Sequence, residues 1–218
     1  ALHYIDESGY QSGTVLIGQI DQEVGRMHSL VRENMEASTK VYFGNMTISK
    51  EQFERNEEAV DFLNKEIVAA LIRTNQLGVS EKEATHAGNL YHIVTDLERI
   101  GDHAQTLAKR SRKIYEENIT FSPEAKEEVI RLSELTKAAL SVSIDSFSHN
   151  DPELAQKGWS ACRKVKATQK EMRKNHIMRL NEGFCRPDSG LVFLELLINM
   201  KRVSDHAKNI SQMVLGIF

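Results

Sequence analysis

One segment occurs twice in this chain, and it constrains the fold more than any other feature. Asp96-Leu97-Glu98-Arg99-Ile100-Gly101-Asp102-His103-Ala104 returns, imperfectly, as Asn199-Met200-Lys201-Arg202-Val203-Ser204-Asp205-His206-Ala207. The distance between the copies far exceeds a solenoid period of ~20–50 residues, so it marks a duplicated subdomain with internal pseudo-symmetry.

The punctuation around the copies is helical. Of the three prolines, Pro123 follows Ser122 and Pro152 follows Asp151. That is an N-cap residue with proline at the first helical position, where the missing N–H costs nothing. Pro187 stands just before Asp188 and a long apolar-periodic segment. With few aromatics and no alternating Val/Ile/Thr runs, the chain reads as all-α.

Six helices are predicted. The first runs from about Val15 to Tyr42 on Ile17, Ile20, Val24, Met27 and Val31, and Gly44-Asn45 stops it. Ser49 with Gln52 forms a capping box for the second, whose stripe is Phe53, Val60, Leu63, Ile67 and Ala70, ending at Gly78. Ser80 with Glu83 caps the third, which runs to about Ile114 on Leu90, Ile93, Leu97, Ile100, Ala104 and Leu107. The fourth spans Ser122-Pro123 to about Phe147, and the fifth Asp151-Pro152 to Asn181-Glu182-Gly183. The sixth carries Phe193, Leu196, Met200, Val203, Ala207 and Ile210.

Long amphipathic helices joined by short turns make sequential neighbours antiparallel. The expected architecture is two tandem up-down three-helix bundles related by an internal pseudo-two-fold repeat. Residues 1–118 hold an N-terminal tail plus the first repeat, and 119–218 the second. Gly101 and its counterpart Ser204 sit at the same place in the third helix of each. A mid-helix glycine costs ~1 kcal/mol against alanine, so Gly101 is expected to admit another backbone at close range.

Composition removes several functional classes. Net charge is −3, and the basic runs are interleaved with acids, so there is no footprint for nucleic acid. The densest basic stretch, Arg163 to Lys174, reads as a solvated helix face. Cys162 and Cys185 are the only cysteines and form no C-x-x-C pair, which points to a reducing compartment and no thiolate metal site. No apolar run reaches the ~18 residues of a membrane span. The start at Ala1 and the aperiodic opening residues suggest a piece of a longer protein.

The candidate chemistry lies on carboxylates. Stepping ~100° per residue from the Leu97-Ile100-Ala104 stripe places Glu98 and Asp102 on the far side of the helix, one turn apart. Glu57 and Asp61 repeat that spacing on the second helix, at the flank of its stripe. If the two helices are adjacent, four carboxylates surround one patch. Oxygen-only clusters suit a hard divalent cation such as Mg²⁺ or Ca²⁺, and also Mn²⁺ or iron. A lone i, i+4 acid pair is ordinarily solubility chemistry, so the metal reading depends on the two pairs converging.

The second half differs. Lys201 replaces Glu98, and aligning helix five on helix two sets Lys166 against Asp61, so any cation belongs to the first repeat. The two lysines are expected to pair with Asp205 or with acids nearby. Arg99, Arg202, His103 and His206 are kept in both copies, and they read as surface ion pairs or as packing between the bundles. Catalytic motifs are absent: there is no phosphate loop, no nucleophile elbow and no H-E-x-x-H. Glu83-Ala-Thr-His86 is half of a di-iron pattern without its second copy, and the Ser80 capping box accounts for it. His103 and His206 lack the neighbours of a phosphotransfer histidine.

The segment Leu97-Glu98-Arg99-Ile100-Gly101-Asp102-His103-Ala104 resembles the signature of the PhoU family, and Arg202 to Ile210 resembles its second occurrence. The resemblance covers about Ile20 to Gly216. It implies two similar three-helix bundles, a regulatory role in phosphate uptake or signalling, and metal on E/D-x-x-x-D motifs. In this chain those motifs fall on Glu98 with Asp102 and on Glu57 with Asp61, while Lys201 breaks the second-repeat motif. The segment Ile20 to Met27 is similar to the start of the PhoU-like domain at the C-terminus of bacterial sodium/phosphate cotransporters. That resemblance implies a non-enzymatic cytoplasmic domain tethered at the inner membrane face to a phosphate transporter in the same polypeptide, with a homodimer left open. The alternatives are a di-iron-like helical-bundle enzyme and a ligand-free helical interaction module.

Overall fold

A computed structural model describes residues 1–6, 12–40 and 48–217. Six helices follow one another: α1 Gly13–Lys40, α2 Lys50–Leu77, α3 Glu81–Glu116, α4 Pro123–Ser148, α5 Pro152–Asn181 and α6 Pro187–Val214. No strand occurs among the described residues. The expected end of the first helix at Tyr42 and its stop at Gly44-Asn45 lie outside the described residues.

The ends form where capping chemistry dictates. Ser122 accepts from the Ala125 amide at 3.2 Å, and one Asp151 carboxylate oxygen accepts from the Glu153 and Leu154 amides at 2.9 and 3.1 Å. Ser80 and Glu83 build a complete capping box. At α2 only half of the expected box is present. Ser49 accepts from the Gln52 amide, but the Gln52 side chain is drawn away to Asn56 and Arg55. Gly78 and Gly183 close α2 and α5 at φ 74° and 76°, a region open to glycine because it has no Cβ.

Every predicted apolar stripe is buried, and all of their residues but Phe53, which packs with Ala37 and Ala108, join one contiguous core spanning both halves. Full burial of each large aliphatic side chain contributes ~1.5–3 kcal/mol. α1, α2 and α3 pack together as one triplet and α4, α5 and α6 as the other. The triplets meet through α3 against α6 and α1 against α4. α2 and α5 are the outer helices, each touching only its own triplet.

The duplicated segment forms the seam. His103 Nδ1 lies 3.0 Å from Asn199 Oδ1, and His206 Nδ1 lies 2.8 Å from Asp96 Oδ1. Asp96 and Asn199 are equivalent in the two copies, as are the histidines, so each copy reaches across to the start of the other. The imidazoles stack with centroids 5.7 Å apart. The reading of these histidines as inter-bundle packing therefore holds.

Gly101 departs from expectation. No backbone approaches it. A Cβ there would meet side chains only, Val60 Cγ1 at 3.5 Å and the Glu57 carboxylate oxygens at 3.6 and 3.9 Å. Those are ordinary van der Waals distances, so an alanine would fit beside the carboxylate.

Candidate functional site

Glu57 is the centre of the acidic patch. It stands on α2 between Phe53 and Val60, so helical geometry turns it toward α3, and it is only 9% exposed. Its Oε1 accepts from Asn34 Nδ2 at 2.8 Å. Asn34, on α1, also donates to the Phe53 carbonyl at 3.1 Å and accepts from Asn56 Nδ2 at 2.9 Å. Asn56 donates in addition to Glu33 and accepts from Gln52. A chain of buried amides thus fixes Oε1 of the Glu57 carboxyl, and both carboxylate oxygens lie beside Gly101.

Asp61, one turn further along α2, is exposed, as is Asp102 on α3. Glu98 is half-buried, with its side chain 21% accessible. Arg99 spans the α3 pair, with Nε 3.6 Å from Glu98 Oε2 and Nη1 3.4 Å from Asp102 Oδ2. All four predicted residues therefore share the α2–α3 face, with Glu57 turned inward and the other three toward solvent.

The electrostatics follow from that placement. Burial pushes the Glu57 carboxyl up to about 7 from an ordinary 4.5; the Asn34 hydrogen bond opposes the rise, and Asp61 and Asp102 add to it. Glu98 is also raised, by its burial and by Asp102, against the pull of Arg99. The patch holds more negative charge than its own cations balance. Its donors are all carboxylate oxygens, the set a hard cation prefers. As the side chains stand, no three His, Cys, Asp or Glu among the described residues gather closely enough to hold one ion. Glu98 and Asp102 are held by Arg99 instead.

The second repeat has none of this. Lys201 Nζ bonds Asp205 Oδ2 at 2.6 Å, as its spacing predicted. Lys166 is exposed. Cys162, at the place of Glu57 in that alignment, is buried and its carbonyl accepts from Ser204 Oγ at 3.4 Å. The six basic residues from Arg163 to Lys174 are all exposed. Glu83 serves the α3 cap, and His86 meets Asp21 at 2.9 Å, so the half di-iron pattern aims no ligand pair inward.

The sequence reading missed Asn34 and Asn56. Both are buried. Asn34 sits three residues beyond Val31, on the apolar stripe itself, and a polar residue on that stripe was the available signal.

Comparison with known proteins agrees with this fold. The sequence model of the PhoU domain matches twice, over residues 24–111 and 129–214, one match on each triplet. The chain is 26% identical over 206 residues to the phosphate-specific transport system accessory protein PhoU homolog 1 of Thermotoga maritima, covering 91% of this chain and 85% of that protein. It is 25% identical over 200 residues to a PhoU homolog of Xylella fastidiosa, covering 91% and 83%. Its fold superposes on the crystal structure of PhoU from Pseudomonas aeruginosa with TM-score 0.84 at 19% identity, covering 93% of this chain and 96% of that one. The phosphate transport system regulatory protein PhoU from Streptococcus pneumoniae gives 0.75 at 17%, covering 94% and 95%. No helix among the described residues is long and apolar enough to cross a membrane. With the family's sequence model matching both halves and spanning most of the chain, this protein belongs to the PhoU family.

Proposed function

We propose that the chain is a non-enzymatic regulator of phosphate transport whose conformation is biased by a hard cation at the first-repeat acidic patch. The observation that carries the cation reading is the Glu57 carboxyl, buried against Gly101 beside Asp61 and Asp102. In this reading Glu57, Asp61, Glu98 and Asp102 would hold the ion, Glu98 and Asp102 turning from Arg99 to do so. The ion supplies charge compensation that α2 and α3 lack. Binding then favours the arrangement in which those helices sit close, and the exposed faces dock on or leave the transporter accordingly.

The relatives named above are accessory proteins of phosphate-specific transport, which supports the substrate class. The narrower form of the proposal, with a sodium-coupled transporter in the same polypeptide and the domain held at the cytoplasmic membrane face, draws on the resemblance of Ile20 to Met27 and on the lysines of the second repeat. Two measurements test the proposal. Phosphate uptake by cells carrying the transporter is expected to lose its response to external phosphate when this chain is deleted. Chelator-free protein is expected to carry metal and to melt higher with added Mn²⁺, Fe²⁺ or Mg²⁺. Unchanged uptake at all phosphate levels removes the regulatory reading, and an unchanged melting temperature with all three ions removes the cation.

A further inference from the structure

α5 is an outer helix, packed only on α4 and α6 of its own triplet. Its inner face is set by Ala155, Cys162, Val165, Met172 and His176, all buried. On its solvent side Trp159, Arg163, Lys166, Lys170, Arg173 and Ile177 recur at spacings of four, three, four, three and four. Stepping ~100° per residue gathers them, with Lys174, into about 100° of arc along ~27 Å of helix. Every cation of this stripe is exposed.

Little in the fold balances these charges. The ion pairs of α5 lie at its two ends, Lys157 with Glu153 and Arg179 with Glu128. Between them Arg163, Lys166, Lys170, Arg173 and Lys174 form no ion pair among the described residues, and Glu171, at the edge of the stripe, is the only acid nearby on α5. Like charges three and four apart destabilise a helix. A face kept only for solubility mixes both signs, as α2 does: in the alignment that sets Lys166 against Asp61, Arg163 falls on Glu58 and Lys170 on Lys65. The chain as a whole carries −3, so the stripe is a local field set against the overall charge.

The stripe ends in apolar side chains. Trp159 is half-buried, with the Arg163 guanidinium carbon 5.2 Å from its ring centroid. At the other end Ile177 and Met178 are 46% and 50% exposed, and Phe184, in the turn after α5, is 74% exposed. A line of cations between an indole and a group of apolar side chains matches the layering of a bilayer surface, where anionic headgroups overlie the edge of the acyl region. A nucleic-acid backbone offers the charge without the apolar layer. A partner helix docks into a groove, whereas a straight stripe on an outermost helix meets a plane along its length.

We infer that the outer face of α5 docks on an anionic lipid bilayer. Arg163, Lys166, Lys170, Arg173 and Lys174 meet the headgroup phosphates, and Trp159 and Ile177 enter the interface at the two ends of the stripe. Coulomb attraction supplies the affinity, and the apolar ends fix which face of the helix turns to the lipid. The surface needs only α5 and the turn after it, so it is independent of the acidic patch and of any transporter joined to the chain.

The test mixes the whole purified chain with vesicles of phosphatidylcholine alone and of equal parts phosphatidylcholine and phosphatidylglycerol. Sedimentation measures the partition, and Trp159, the only tryptophan, reports entry into the interface by its emission. The chain is expected to sediment with the anionic vesicles only, with its emission shifted to the blue, and to be released at ~1 M salt, where the screening length falls to ~3 Å. Lys166→Gln with Lys170→Gln, both exposed, weakens the partition by about thirtyfold, as ~1 kcal/mol for each charge near an anionic surface implies. Lys65→Gln with Arg73→Gln removes the same charge from exposed positions on α2 and leaves the partition unchanged. An absence of partition, equal partition on the neutral vesicles, an unshifted emission, or equal losses from the two pairs of substitutions would overturn the assignment. Tighter binding to duplex DNA or to polyglutamate than to the anionic vesicles would overturn it too, in favour of a nucleic acid or an acidic protein.

Discussion

Glu57→Gln isolates the electrostatic cost of the acidic patch. The amide has the size of the carboxyl, and its Oε1 can still accept from Asn34 Nδ2, now 2.8 Å from the carboxylate oxygen. Only the charge is lost. In the unfolded chain Glu57 releases its proton near its ordinary 4.5, whereas in the fold burial, with Asp61 and Asp102 against the Asn34 bond, keeps the proton on up to about 7. Between those values the folded state binds more protons than the unfolded one, so stability falls as pH rises. The penalty is absent below 4.5 and complete above about 7. At ~1.36 kcal/mol per pH unit this interval sets a ceiling of ~3 kcal/mol.

The Glu57→Gln variant is therefore expected to exceed the parent in unfolding free energy by up to ~3 kcal/mol above neutral pH, and to match it in mild acid. Urea unfolding followed by far-ultraviolet circular dichroism, with chelator present, measures the difference at each pH. In thermal melts the gap amounts to several degrees, since ~1 kcal/mol moves a chain of this size by ~2–4 °C. Added Mn²⁺ closes the gap by stabilising the parent alone. A difference that stays constant with pH, or a variant less stable than its parent in mild alkali, refutes the account of Glu57. Equal stabilisation of both proteins by Mn²⁺ refutes its part in holding a cation.

Two glycines give opposite expectations from the same substitution. Gly101→Ala places a methyl at an ordinary 3.5 Å from Val60 and gains ~0.5–1 kcal/mol from helix propensity, while Gly158→Ala meets the Ser211 and Ser143 hydroxyls at 2.5 and 2.8 Å and loses ~1–3 kcal/mol. Thermal melts of the pair should bracket the parent. Burial, aided by Arg32 and opposed by Asp145, lowers His28 from 6.5 to about 4, so it is neutral in the fold and stability is lost as pH falls through that interval. His28→Phe, packed edge-on to Phe147, is expected to remove that part of the acid sensitivity in pH-resolved urea titrations. Asp96→Asn weakens the acceptor shared by His206 and Asn209 at 2.8 and 3.1 Å, and urea unfolding should register a loss of ~1 kcal/mol.

Helix identity was legible because each stripe repeats at three and four over many turns and each boundary carries its own residue, Ser80 with Glu83, Ser122 with Pro123, Asp151 with Pro152. Periodicity also located the four acids, but it treated Glu57 as a flank residue. The depth of Glu57 depends on how far α2 sits from α3, and that distance is set by side chains of both helices together with Asn34 on a third. Gly101 misled for the same reason: whether a glycine is needed depends on what packs beside it, and here Val60 and Glu57 leave space for a methyl. The Ser49–Gln52 box was half right because Asn56, one turn on, competes for the same amide. The cross-pairing of His103 with Asn199 and of His206 with Asp96 needed the relative placement of the two copies, which no single copy encodes.

The two repeats have parted on one face of the same scaffold, and the direction of the change is consistent. At the α2–α3 face the first repeat gathers uncompensated acids around Gly101, where the second sets Cys162, Ser204 and a Lys201–Asp205 pair that balances itself. At the helix starts the two repeats agree: Glu83 caps α3 in the first, and Glu124 and Asp188 stand in the first turns of α4 and α6 in the second. A duplication that only enlarged the core would have no reason to keep charge unbalanced on one face of one half, since the imbalance costs stability. The imbalance sits on α3, the helix whose other face meets α6 through stacked His103 and His206, so the helix that carries the acids is also the one that joins the halves.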